Sequence, residues 1–161
     1  MAKDINPPRG MRDFLPAEKA KRESVLEVIR GVYRSFGFQE VETPALENID
    51  RLLSGQGGDN EKLTYFVMKR NLELSDLQEW YSKPPANSDR KTNFLDPVAA
   101  ADLGLRFDLT VPLTRFYATN RTSLPTVFKA IQIGPVWRAE RPQKGRYRQF
   151  VQCDIDIIGD D

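Results

Sequence analysis

Histidine is missing from all 161 residues, and cysteine occurs once, as Cys153. The first absence removes the Ser-His and Cys-His nucleophile systems, the usual zinc ligands and the commonest general base. The second excludes an internal disulfide and any cluster of cysteines around a metal. No apolar run approaches the roughly 20 residues needed to span a bilayer, so no membrane partner is expected. Residues 1–8 carry neither an apolar signal core nor an Arg/Ser-rich amphipathic pattern, which predicts a cytoplasmic location. Excess charge is lacking too: 24 Lys and Arg face 23 Asp and Glu, a net +1. That balance still permits a local basic patch. The remaining inventory of Arg, Lys, Asp, Glu and backbone groups suits the positioning and electrostatic stabilisation of phosphates.

The residues present have the balance of an ordinary globular domain, 40% hydrophobic and 29% charged, at a length that suits one domain with a real core. After an extended opening at Pro7-Pro8-Arg9-Gly10, a helix is predicted over 16–36. Val25, Val28, Ile29, Val32 and Phe36 fall on one face, and Gly37 follows where a left-handed cap is easiest. A strand over 38–43 is stopped by Pro44. Residues 54–60 read as a flexible loop and 64–68 as a strand. Residues 71–101 read as an insertion, with a capping box at Ser75 and Gln78 and a Pro/Asn/Ser/Asp-rich stretch over 83–96. Strands are then predicted at 105–110, 127–133, 136–140 and 151–157, with a helix over 112–119. Strands joined by short loops, with helices outside them, predict an α+β fold built on a mainly antiparallel sheet.

Two predicted strands carry a polar row opposite an apolar one. Arg106, Asp108 and Thr110 alternate with Leu105, Phe107 and Leu109; Gln152, Asp154 and Asp156 alternate with Val151, Cys153, Ile155 and Ile157. Such rows are a solvated sheet face in most antiparallel sheets. Short carboxylates, an amide and an arginine also suit a cleft for a small zwitterion. A second concentration lies at 137–150, where Arg138, Arg141, Lys144, Arg146 and Arg148 share a Pro/Gly loop with Tyr147 and Phe150. It reads as an exposed basic hairpin, as a nucleic-acid patch with stacking aromatics, or as a triphosphate clamp. Charge and aromatics do not separate the last two.

The run Gly134-Pro135-Val136-Trp137-Arg138-Ala139-Glu140 through Arg146-Tyr147-Arg148-Gln149-Phe150-Val151-Gln152-Cys153-Asp154 resembles motif 2 of the class II aminoacyl-tRNA synthetases. Its Arg-Pro-Gln-Lys-Gly-Arg-Tyr-Arg-Gln-Phe wording is similar to the histidyl form. Arg9-Gly10-Met11-Arg12-Asp13-Phe14-Leu15-Pro16 resembles the histidyl opening segment. Gly37-Phe38 through Pro44 resembles the motif 1 strand with its proline, and Leu105-Arg106-Phe107-Asp108-Leu109-Thr110 resembles a segment usually written Leu-Arg-Pro-Glu-Gly-Thr. The resemblance covers most of the chain outside 71–101.

The resemblance implies a class II catalytic-domain fragment, with motif 1 at about 17–44, the insertion at about 71–101 and motif 2 at about 127–158. Motif 3 and the anticodon-binding domain would lie beyond Asp161, so the piece alone is expected to be inactive. The implied substrates are L-histidine, ATP with Mg²⁺ carried on its phosphates, and tRNA(His); the implied assembly is a homodimer through motif 1. Asp108 and Thr110 would hold the α-ammonium of histidine, Gln152 would add a polar contact, and Asp156 would accept a hydrogen bond from the imidazole. Arg138 would be catalytic, bridging the histidine carboxylate and the ATP α-phosphate. Glu140, Arg146 and Phe150 would complete the ATP site, on the adenine side, on the outer phosphates and as the stacking platform. The sequence departs from the pattern in three places: Asp108 and Asp156 are shorter than the glutamates of many bacterial members, and Phe107 replaces a proline. The alternative is a non-catalytic, histidine-binding regulatory paralogue of ATP phosphoribosyltransferase. Glu140 and the Gln143-Lys144-Gly145-Arg146 run favour the synthetase.

Overall fold

A computed structural model of the chain describes residues 5–54, 62–76, 78 and 100–159. Helix α1 spans Pro16–Ser35. Proline fits its first position because that amide would have no partner, and Glu18 reaches back to accept from the Leu15 amide at 3.2 Å. Gly37 ends the helix at φ +81°, as the sequence predicts. The expected 38–43 strand is only two residues long, β1 at Gln39–Glu40.

Two three-stranded sheets follow. In the first, β1 lies parallel to β5 (Phe128–Trp137), which pairs antiparallel along its whole length with β6 (Gln149–Ile158). The second has the order β2 (Leu46–Asn48), β4 (Ala101–Leu105), β3 (Tyr65–Met68), all antiparallel. Helix α2 (Ile49–Leu53) packs on the second sheet, and α3 (Thr110–Asn120) joins the two. Val111 of α3 packs on the cluster of Ile49, Leu52 and Phe107, while Leu113 belongs to a second cluster with Phe128 and Ala130. A half-buried ion pair adds to the junction: Arg115 of α3 donates through Nε to the buried Glu47 of β2 at 2.5 Å.

Several expectations are corrected. The strands predicted at 127–133 and 136–140 are one strand, because Gly134-Pro135 does not interrupt β5. The amide of Trp137 bonds Arg106 O at 3.0 Å, away from β6. Pro135, two residues earlier, presents its nitrogen to the same side, so it costs no β5–β6 bond. The strand predicted at 105–110 stops at Leu105, where the chain turns into α3. The predicted cap at Ser75 is displaced: the Glu73 amide donates to Asp76 Oδ2 at 2.9 Å, and Ser75 lies inside the helical turn. Strand β2 and helix α2 were not legible from the pattern. The expected 54–60 loop and 83–96 stretch fall on residues 55–61 and 79–99, outside the described residues apart from Ser54.

The alternation of β6 is as predicted but turned outside in. Its even-numbered residues, Phe150 through Ile158, are half-buried, while Val151, Cys153, Ile155 and Ile157 are exposed. Helix α1 is similarly bare. No residue of it is buried, and Val28, in the middle of the apolar face, is 67% exposed.

Candidate active site

The polar face of β5–β6 gathers the candidate residues. Register sets Gln152 opposite Gly134, Asp154 opposite Gln132 and Asp156 opposite Ala130. Gln152, Asp154 and Asp156 share one half-buried face, and the Gln152 side-chain oxygen is buried without a hydrogen bond among the described residues. An unbonded buried acceptor is costly in a finished site, so a donor brought by a ligand is the natural complement.

Arg138 follows β5 directly. Its amide bonds Arg148 O at 2.9 Å, its Nε donates to Phe107 O at 3.1 Å, and its guanidinium carbon lies 5.1 Å from the centre of the Phe150 ring. The backbone is thus anchored once and the side chain held twice, and the Arg138 charge acts on both Asp108 and Asp154. Asp108 lies across from it. Its Oδ1 accepts from the Val111 amide at 3.2 Å, capping α3. Burial pushes the Asp108 carboxyl up, opposed by the Val111 amide and by the nearby Arg138 charge. Asp154 is also pushed up, first by burial and then by Asp156 and Asp108, with Arg138 pulling the other way. Asp108, Arg138, Asp154 and Asp156 thus share one electrostatic environment.

The loop after Arg138 is held to its own base. Gln143 and Arg146 exchange backbone bonds at 3.2 and 2.9 Å, and Arg148 Nε donates to Glu140 O at 3.0 Å. Arg146, mostly exposed, reaches Glu140 at 3.3 Å. The two residues expected on the nucleotide side are thus paired with each other. The opening segment braces this loop: Arg148 N bonds Gly10 O at 2.7 Å, and the Arg12 guanidinium lies 4.2 Å from the centre of the Tyr147 ring.

Two expectations about the Arg106 row are corrected. Arg106, Asp108 and Thr110 do not form a strand row, and β4 and β6 belong to different sheets. Thr110 is the exposed first residue of α3, so shared strand parity with Asp108 does not exist. Arg106 does not face a cleft. Only 5% exposed, it donates through Nη1 to Thr43 O, Thr43 Oγ1 and Pro44 O and through Nε to Pro135 O, at 2.7, 3.1, 3.3 and 3.0 Å. A Cβ at Gly134 would lie 2.5 Å from Arg106 Nη2, so only glycine admits the guanidinium at this point. Gln132 completes the support: it accepts from Thr43 Oγ1 at 3.2 Å and donates to Leu109 O at 2.8 Å. These bonds join the end of the β1 segment to the chain carrying Asp108. The roles of Arg106 and Gln132 were invisible in the sequence because their partners lie 23 to 89 residues away. Asp154 had a signal, its place in the alternating row, but no role.

The α+β architecture is that of the class II aminoacyl-tRNA synthetases. It superposes on the crystal structure of histidyl-tRNA synthetase from Nostoc sp. PCC 7120 with a TM-score of 0.68 and 30% identity, over 98% of this chain and 29% of that one. A Bacillus halodurans structure described as an ATP phosphoribosyltransferase regulatory subunit/histidyl-tRNA synthetase shares the fold, with a TM-score of 0.70 at 19% identity over 99% of this chain and 34% of that one. The histidyl-tRNA synthetase family model matches residues 10–76 and 66–161, and the chain belongs to that family. It is 58% identical to the histidine–tRNA ligase of Leifsonia xyli subsp. xyli over 160 residues, 99% of this chain and 35% of that protein. The chain spans about a third of the length of the curated relatives it matches.

Proposed function

We propose that the whole protein is a histidine–tRNA ligase, which activates L-histidine with ATP to histidyl-adenylate and pyrophosphate and passes the histidyl group to tRNA(His). The observation that carries this is the meeting of Asp108, Arg138 and the Gln152–Asp154–Asp156 row around a buried, unbonded amide oxygen. The acidic end suits the α-ammonium and imidazole, with Asp108 and Thr110 at the ammonium and Gln152 and Asp156 towards the ring. Arg138 takes the histidine carboxylate and the ATP α-phosphate together. As the carboxylate oxygen attacks phosphorus in line, charge grows on the phosphoryl oxygens, and a fixed guanidinium there stabilises the transition state more than the ground state. Phe150 offers the purine a platform beneath Arg138. Arg146 leaves Glu140 for the outer phosphates, freeing Glu140 for the adenine side. The phosphate end is rich in arginine and poor in carboxylates, which fits Mg²⁺ carried by the phosphates and neutralising their charge.

Motif 1 occupies about 17–44, the insertion about 71–101 and motif 2 about 127–158. The whole protein works in the cytoplasm as a homodimer through motif 1. Support for the dimer is the amphipathic α1 with its exposed Val25, Val28 and Val32, and Phe36 just after it, since isologous interfaces bury apolar surface that one subunit leaves bare. The test of function is ATP–pyrophosphate exchange by the whole protein with each amino acid in turn. Exchange that requires L-histidine is expected; exchange with another amino acid, or none with histidine, would refute the reading.

A further inference from the structure

We propose that Asp154 is a specificity residue of the amino-acid pocket, a third carboxylate that holds the cationic, N–H-rich part of the substrate between Gln152 and Asp156. The inference rests on the histidine-ligase reading of the same face. Along β6, Asp154 stands two residues from each neighbour, roughly 7 Å either way. The residue opposite it, Gln132, is committed elsewhere, its amide nitrogen to Leu109 O and its oxygen to Thr43 Oγ1. No described residue donates a side-chain or backbone hydrogen bond to the Asp154 carboxylate. The charged groups around it are Asp156, Asp108 and Arg138. Arg138 already gives its Nε to Phe107 O.

The face therefore sets three carboxylates and the unbonded Gln152 oxygen against one guanidinium. Acceptors outnumber donors, and negative charge outweighs positive. A ligand that completes such a surface brings a carboxylate for Arg138 at one end. Elsewhere it brings several N–H groups and positive charge. An α-amino acid with a basic, N–H-bearing side chain meets both demands, whereas the neutral amide of glutamine supplies donors without charge. Asp108 is held at the start of α3 by the Val111 amide, and Asp154 fills the interval along β6 between Gln152 and Asp156. Burial and two like charges hold Asp154 in a state that gains more from an arriving cation than a solvated carboxylate does.

The test compares the whole protein with Asp154→Asn, which keeps the shape, and Asp154→Ser, which does not. Calorimetry with L-histidine, exchange kinetics and thermal melting are measured on each. Expected are histidine Kd and KM raised about tenfold, the effect of losing one charge-assisted contact. The kcat and the KM for ATP should stay within about twofold, and discrimination against glutamine should fall. Histidine Kd and KM within about twofold of the parent in both variants would overturn the proposal. So would equal losses in kcat and ATP KM accompanied by a lowered Tm, the signature of a merely structural residue. If the parent binds histidine but shows no histidine-dependent exchange, the ligase reading fails while the weaker binding of Asp154→Asn still decides the role of Asp154. A parent that binds no histidine refutes both.

Discussion

Among the described residues no carboxylate is in hydrogen-bond contact with the buried Arg106; its guanidinium bonds the carbonyls of Thr43, Pro44 and Pro135 and the hydroxyl of Thr43. Burial pulls its pKa down, with only the more distant Glu42 charge opposing. Replacing it by methionine keeps much of the volume and removes every donor. Three carbonyls then lose a charged partner, at about 1–3 kcal/mol for each acceptor left buried. Against this, the substitution removes a desolvated charge whose burial itself cost several kcal/mol. The expected net loss in Arg106→Met is about 3 kcal/mol, measured by urea denaturation of the whole protein. Gly134 supplies an internal control. An alanine there would press on Arg106 Nη2 and should cost about 2 kcal/mol in the parent by overpacking. In the Arg106→Met background the clash partner is gone, and the same alanine should cost under about 1 kcal/mol, a coupling of at least about 1 kcal/mol. Additive losses, or an Arg106→Met protein within about 1 kcal/mol of the parent, would show that the bracing bonds contribute little.

Arg138→Ala in the whole protein should reduce pyrophosphate exchange by about a hundredfold or more, the usual effect of losing a transition-state donor, while histidine affinity changes far less; exchange within a few-fold of the parent refutes its role. Asp154→Asn should be more stable than the parent at neutral pH. The folded carboxyl has its pKa raised above 3.8, so the native state binds the proton more tightly, and the parent loses stability as pH rises from the unfolded pKa through the folded one. Denaturation curves of the two proteins should converge below about pH 3.8, and a gap that persists unchanged there contradicts the assignment. Val28→Asp, at a bare position of α1, should leave secondary structure intact yet shift the whole protein to monomer in light scattering; a parent that is already monomeric at high micromolar concentration removes the motif 1 dimer. A polypeptide of these 161 residues alone should bind ATP more weakly than the whole protein, because charges on an open, wet face interact weakly; equal affinities in calorimetry would contradict this.

How much was legible depended on where each residue's partner lies. Helix α1 and its Gly37 stop were readable because apolar spacing, first-turn proline and a following glycine are all local signals. Strand β6 was readable because ten residues alternate without interruption. The 105–110 segment alternates just as well, yet Arg106 and Asp108 point where they do for tertiary reasons, one to brace Thr43 and the other to cap α3. A turn into a helix cap and a strand write the same six letters. Strand β2 was hidden by its brevity and by Glu47, a carboxylate buried only because Arg115 arrives from 68 residues away. Proline 135 suggested a break because its harmless orientation depends on which side of β5 carries the neighbouring strand. The shared face of Gln152, Asp154 and Asp156 on β6 was legible in the alternation, while Thr110, the first residue of α3, does not share a strand face with Asp108.

Strand β6 has a consequence for how this polypeptide behaves in solution. Among the described residues it pairs with β5 alone, so a ladder of peptide groups roughly 33 Å long is left without a partner strand on its other side. Bulges, prolines and charged side chains are the usual guards of such an edge; residues 149–158 carry no proline, lysine or arginine, and their only charges are Asp154 and Asp156 on the half-buried face. One side of the same strand exposes Val151, Ile155 and Ile157. Whatever chain lies against that edge gains main-chain bonds and apolar cover together. An edge that offers both is where a further strand would add to this sheet with the least rearrangement.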